Sequence, residues 1–373
     1  MCGKCAWPVN GIDPRGAVAM SLRLIFWAYL PLALVAALSE LMLQVFAERA
    51  VSPLEFDLLA YLPNLLPVTF FFVFGAFGII VMRSAFSRDK SANRWRRFVA
   101  WLKGVPWTEV FVARIFLGFL FLELLQSSFA AYKPYIPQIN PFSWDAFFIE
   151  FDRALMFGTD PWVVSHAIFA TPFATFVIDK LYVIWFIVLI ASYFYIMVQP
   201  IRDWRRLAVM LTIGLSWILI GGVGATVFSS AGPIFMDLVH NDPVFDPLLE
   251  RLRMQSEIAA PERGFTVLNA MDLLVRGYVG EPGVAFLGIS AFPSMHVCMV
   301  ALIWVYARSQ SRIWGWITFA YMIAILIGSV HLGWHYLVDG LFAIGAVWLL
   351  WLACARFARY WMRDVSPDLV GQS

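Results

Sequence analysis

The sequence predicts an all-α polytopic membrane protein with about eight transmembrane helices. Three observations carry that expectation. The 373 residues are 61% hydrophobic and 14% charged, against roughly half and a quarter in a soluble globular domain. Apolar runs near the ~20 residues needed to cross a bilayer recur along the chain. Basic residues cluster in alternate short loops, the pattern that keeps Lys and Arg on the cytoplasmic side. The net charge is only +2 and the basic residues are scattered, which excludes a nucleic-acid partner. The partner that composition demands is the bilayer.

The apolar runs fall at 22–46, 62–82, 107–132, 173–198, 207–229, 292–307, 313–330 and 336–355. The first is too long for a signal peptide and lacks a small-residue cleavage site, so it is expected to remain as an anchor. "RSAFSRDKSANRWRRF" follows the second run, "IRDWRR" the fourth, "ARSQSR" the sixth and "RFARYWMR" the last. Even-numbered spans therefore end in the cytoplasm, and both termini lie there. Two segments on the other side are more than turns. After the third run, "NPFSWDAFFIEFDRALMFG" has Pro141, a candidate N-cap at Ser143, and Trp144, Phe147, Phe148, Phe151 and Leu155 on one helical face, which predicts a helix lying flat in the interface. Between the fifth and sixth runs, residues 231–290 are polar and rich in Pro and Gly, and contain the amphipathic "FTVLNAMDLLVRGY". A connection this long reads as a lid or a recognition surface. The chain thus divides into 1–106, a cytoplasmic tail with two spans and a basic loop; 107–360, a six-helix core with the 231–290 loop; and a cytoplasmic tail, 361–373.

Ionisable residues near membrane depth are costly and mark function. "GISAFPSMHVCMVALIW" places His296 at the mouth of the sixth span, and "GSVHLGWHYLVDG" places His335 four residues before Asp339 at the mouth of the eighth. On a helix the latter spacing stacks carboxylate and imidazole one turn apart. The acid can then hold one ring nitrogen protonated and leave the other free to attack. His296 starts a span on the same side, where it could protonate a leaving oxygen. The four cysteines give no disulfide framework, and "CGKC" at Cys2 and Cys5 lacks the second pair that a tetrahedral metal site needs.

"FPSMH" and "GSVHLGWHYLVDG" resemble the second and third signature blocks of the type 2 phosphatidic acid phosphatase superfamily: Pro-Ser-Gly-His, and Ser-Arg, five residues, His, three residues, Asp. The resemblance implies a six-helix phosphatase-type core over spans three to eight, with spans one and two extra. By matching position it implies that His335 is a nucleophile forming a phosphohistidine, Asp339 its support, His296 the general acid, and Ser294 a phosphate contact. Gly328 and Ser329 stand in the Ser-Arg place, and Met295 replaces the second-block glycine. The first block, Lys, six residues, Arg-Pro, should fall at the end of span five, where the chain offers "SSAGP" (229–233). "KPYIPQINP" from Lys133 fits that spacing except for Asn140, but ends span three, two helices early, and is set aside as coincidence. The remaining pattern, with "FDRALMFGTDPW" and "DKLYVIWF", is more similar to the inositol phosphorylceramide synthase and sphingomyelin synthase branch.

The missing cations favour a substrate with one negative charge, a phosphodiester, over a monoester dianion. The expectation is an enzyme of lipid metabolism that transfers a phosphorylated head group from a phospholipid donor to a lipid alcohol acceptor. Its active site would face the extracytoplasmic side of a bacterial cytoplasmic membrane. Besides Ser294, the candidate substrate contacts are Ser329, Lys180 and Arg276, with Arg263 weighed beside them; no metal or cofactor is expected. The alternatives are a lipid phosphate or polyprenyl diphosphate phosphatase and, from another class, a catalytically inactive transporter or scaffold.

Overall fold

A computed structural model describes residues 14–47, 109–284 and 287–365. Helices joined by turns and irregular connections make up these residues, with no strand among them. Helix α1 is Pro14–Ala47 and α2 is Glu109–Tyr132, prolonged by short turns through Ile139. The interfacial α3 (Asp145–Leu155) and α4 (Pro161–Ile168) follow. Helices α5 (Pro172–Val183) and α6 (Trp185–Val198) make one span broken at Ile184. Next come α7 (Trp204–Leu215, continued to Val227), α8 (Asp246–Ala259), α9 (Thr266–Tyr278), α10 (Met295–Gln310), α11 (Arg312–His331) and α12 (Leu337–Val365).

Among the described residues six helical segments are long and apolar enough to cross a membrane, Leu24–Met42, Ile115–Ile139, Pro172–Val198, Trp204–Val227, Arg312–His331 and Leu337–Arg363. The protein is a multi-pass integral membrane protein. The expected second span, 62–82, its basic loop and the Cys2–Cys5 pair lie outside the described residues. The expected sixth span is α10, only 16 residues long, so at 1.5 Å per residue it falls short of a ~30 Å hydrocarbon core. Its short length fits its place. Val297, Cys298, Met299, Val300, Ala301 and Leu302 are all at most 2% exposed, and a helix buried on every side is a core helix. Helix α7 is its neighbour at the centre, buried from Arg206 to Gly214. Helices α11 and α12 pack on α10, while α1 packs on α2, α7 and α12, so the first span is part of the bundle.

Two expectations about the connections change. The 231–290 segment is largely helical: α8 and α9 fold over the end of the bundle where α10 and α12 begin, packed on α5. Interfacial helix α3 begins after Trp144, with no side-chain cap; Ser143 instead gives its backbone N–H to the Ser229 carbonyl. The aromatic stripe foreseen for α3 is divided between its exposed and its packed side. Phe147, Phe151 and Leu155 are exposed, whereas Asp145, Phe148, Ile149 and Asp152 are buried. The reason is hydrogen bonding, which sets the geometry of the site.

Candidate functional site

Asp145 and Asp152, two turns apart on α3, are acceptors for backbone that would otherwise be stranded. Asp145 takes the N–H groups of Ala231 and Gly232 (2.9 and 3.0 Å), the Tyr336 hydroxyl (2.9 Å) and His240 Nε2 (3.0 Å). Asp152 takes the N–H groups of Leu337 and Val338 (2.6 and 2.9 Å), two of the free donors at the start of α12. Burial pushes the Asp152 carboxyl up to about 7 against these two hydrogen bonds. Next to Asp145, the Ser230 carbonyl and hydroxyl accept the N–H groups of Ala291 and Phe292 (2.9 and 3.0 Å). At Gly232, with φ +95°, a Cβ would lie 2.8 Å from that of Ala291, so only glycine allows this close approach. "SSAGP" is therefore the knot that fixes the loop leading into α10.

His335 sits in the turn between α11 and α12. The Ser329 carbonyl accepts the N–H groups of Trp334 and His335 (3.0 and 3.2 Å), and Gly333, with φ +73°, leaves no room for a Cβ, which would lie 2.5 Å from Ile234 Cγ2. On the ring, Nδ1 lies 2.8 Å from the Ala291 carbonyl and 3.3 Å from Asp339 Oδ2. A carbonyl can only accept, so Nδ1 carries the proton and the Nε2 lone pair is free. Asp339 Oδ2 is fixed by the Tyr336 N–H at 3.0 Å. The expected one-turn pairing is present, but the nearer tautomer lock is the Ala291 carbonyl. Burial, joined by the Lys133 ammonium and opposed by that carbonyl, lowers the His335 imidazole to about 3.

His296 lies in the first turn of α10, whose N-cap is Ser294. Its ring is held by other rings: Tyr182 stacks on it at 4.7 Å and 20°, Trp185 lies at 4.4 Å and Phe186 at 6.1 Å. Trp185 Nε1–H also donates to the His296 carbonyl at 2.9 Å. The structure brings the two imidazoles together, with ring centres 6.0 Å apart. Glycines on α7 make room for this block, since a Cβ at Gly221 would lie 3.1 Å from Met295 Sδ and one at Gly224 3.3 Å from Pro293 Cγ.

The segment set aside in the sequence, "KPYIPQINP", comes near this site. Lys133 is close enough to act electrostatically on both His296 and His335, and none of the ion pairs among the described residues involves it. Asn140 Nδ2 donates to the Thr226 and Val227 carbonyls (2.8 and 3.1 Å) at the end of α7. Two helices apart in sequence, the segment docks where the first block was sought. Two of the other candidate cations, Lys180 and Arg276, are engaged elsewhere. Lys180 pairs with Asp179 (2.8 Å) and donates to Thr266 Oγ1 (2.7 Å), while Asp179 accepts the Thr266 and Val267 N–H groups at the start of α9. Exposed Arg276 pairs with Glu281, which holds the guanidinium above and the carboxyl below their usual ranges. Arg263 gives its carbonyl to Asn269. Ser294 Oγ accepts the Val297 N–H at 3.4 Å, and buried Ser329 donates to the Leu326 carbonyl at 2.8 Å. Helix α8 roofs His335: a crevice of about 10 Å³ is bordered by Asp152, Trp162, Leu248, His335 and Tyr336.

Together these groups offer an imidazole nitrogen with its lone pair free, a second imidazole across from it and a cation within electrostatic reach of both, at one end of a membrane bundle. A family model described as the PAP2 superfamily matches residues 146–356. No curated protein and no solved structure matches the chain.

Proposed function

The chain belongs to the PAP2 superfamily of membrane phosphatases and phosphotransferases, and from that premise we propose that it transfers a phosphorylated head group from a phospholipid diester to a lipid alcohol, in the manner of inositol phosphorylceramide synthases, on the extracytoplasmic side of the membrane. Lys133 carries this reading. Among the described residues it is the cation that acts on both imidazoles, and one ammonium matches the single charge of a diester where a monoester dianion calls for more.

His335 Nε2 attacks phosphorus, and an N–P bond forms as the bond to the diacylglycerol oxygen breaks. That oxygen takes a proton from His296, which the arriving anion helps to keep protonated. The head group, through its phosphate, is then on His335, while Ala291 and Asp339 stabilise the positive charge on the ring. The acceptor hydroxyl attacks the same phosphorus, gives its proton to His296, and the N–P bond breaks. Helices α8 and α9 keep water from the adduct.

The test supplies a donor labelled in its head-group phosphate to protein reconstituted in bilayers, with the acceptor varied. Label entering a new lipid in proportion to ceramide or diacylglycerol supports transfer. Release as water-soluble phosphate whatever acceptor is present, or preference for phosphatidic acid, replaces transfer with phosphatase activity.

A further inference from the structure

Two buried polar atoms without partners point to one more residue of the site. Tyr182, in the last turn of α5, is 4% exposed. Its ring stacks on His296 and lies over Gly328, where a Cβ would come 3.3 Å from Tyr182 Cδ2. The glycine standing in the third block thus seats the tyrosine. Among the described residues the Tyr182 hydroxyl has no hydrogen-bond partner. Neither does Asp339 Oδ1, on a carboxylate 0% exposed whose other oxygen serves Tyr336 and His335. The orphan donor lies within electrostatic reach of the carboxylate that bears the orphan acceptor.

A phenylalanine would stack on His296 as well and would bury no unpaired hydroxyl, so folding alone favours phenylalanine here. The hydroxyl serves something other than stability. We infer that Tyr182 is a positioning residue for the transfer: during turnover its hydroxyl donates to Asp339 Oδ1, directly or through one water, and holds the carboxylate beside His335 while that ring carries positive charge. The inference rests on the phosphohistidine reading and adds a residue to it.

The experiment compares Tyr182→Phe and Tyr182→Leu with the unsubstituted protein in bilayers, measuring thermal midpoint, kcat, KM and the rate at which labelled donor forms an adduct on His335. Tyr182→Phe should melt at the same temperature or higher. Adduct formation and kcat should fall about tenfold, the ~1.4 kcal/mol equivalent of one such hydrogen bond, with KM within about twofold. In an Asp339→Asn background Tyr182→Phe should cost less than about twofold more, as coupled groups do. Tyr182→Leu, which also removes the stack on His296, should be slower than Tyr182→Phe. Adduct formation at an unchanged rate in Tyr182→Phe, or losses that multiply fully with Asp339→Asn, overturns the inference. An unsubstituted protein that forms no adduct at all sinks the phosphohistidine reading instead, a distinguishable failure.

Discussion

The two imidazoles sit 6.0 Å apart yet are held by different physics. His335 is fixed by hydrogen bonds: its ring by Ala291 and Asp339, its backbone by Ser329, and the helix that follows by Asp152. His296 is fixed by ring packing between Tyr182, Trp185 and Phe186. The difference suits the roles proposed for them. A nucleophile needs one nitrogen lone pair aimed and one tautomer enforced, which directional bonds provide. A group that gives and takes a proton in alternate steps is better held by contacts indifferent to its protonation state.

The comparison can be broken from either side. The largest effect belongs to the hydrogen-bonded side: His335→Ala should lower turnover by ~10⁴-fold or more, as loss of a nucleophile does, with the thermal midpoint little changed. Activity within tenfold of the unsubstituted protein would remove His335 from the chemistry. Lys133→Gln comes next and removes a charge that acts on both histidines. A charge-assisted hydrogen bond is worth ~1.5–3 kcal/mol, so kcat/KM for a phospholipid diester should fall about 10- to 100-fold, mostly through KM; no change would leave the single-cation argument without support. Asp152→Ala strands two N–H groups at the start of α12, at ~1–3 kcal/mol each, and should lower both thermal midpoint and kcat. On the aromatic side Trp185→Phe keeps a ring against His296 but loses the bond to its carbonyl, a cost of ~1 kcal/mol. It should slow turnover severalfold, most with donors whose leaving alcohol is a poor one.

The smallest effect is a pH dependence away from both histidines. His166 stacks on His331 at 3.7 Å and its Nε2–H donates to the His331 carbonyl. Burial is the main cause holding it down, to about 4. Its pKa is thus below the unfolded value of ~6.5, so the unfolded chain binds more protons between the two. The stability this group contributes is fully present above pH ~6.5 and is lost as pH falls toward about 4. Thermal midpoints recorded over that window should fall in the unsubstituted protein and fall less in His166→Gln; parallel curves would contradict the assignment.

The same contrast explains what was legible in the sequence. Spans could be read because apolar length is a local property, and His296, His335 and Asp339 because their spacing is. The fixtures of His335 could not. Asp145 and Asp152 meet Gly232 and Leu337 across 87 and 185 residues, and in the sequence the aromatic stripe of α3 outweighed two acids at i and i+7, the signal that could have found them. Lys133 is visible in the sequence, but order along the chain is not order in space: α2 ends beside α7, so a lysine two helices early arrives near the site. The charges of Lys180 and Arg276 are legible in the sequence, but the pairing of each with a carboxylate is not. Tyr182 lies inside "DKLYVIWF", a run that carries a family likeness, but nothing in the run distinguishes the tyrosine from its apolar neighbours.

The central claim is that the head group, through its phosphate, passes through His335. It is tested most directly by mixing reconstituted protein with labelled phospholipid donor in the absence of acceptor, quenching in base, which preserves a phosphohistidine, and mapping the adduct by peptide mass spectrometry. The account predicts the mass of the head-group phosphate on the peptide carrying His335, its disappearance on adding acceptor, and its absence from His335→Ala. An adduct that maps to His296, or that persists in His335→Ala, contradicts it, as does turnover of donor with no covalent adduct at any time.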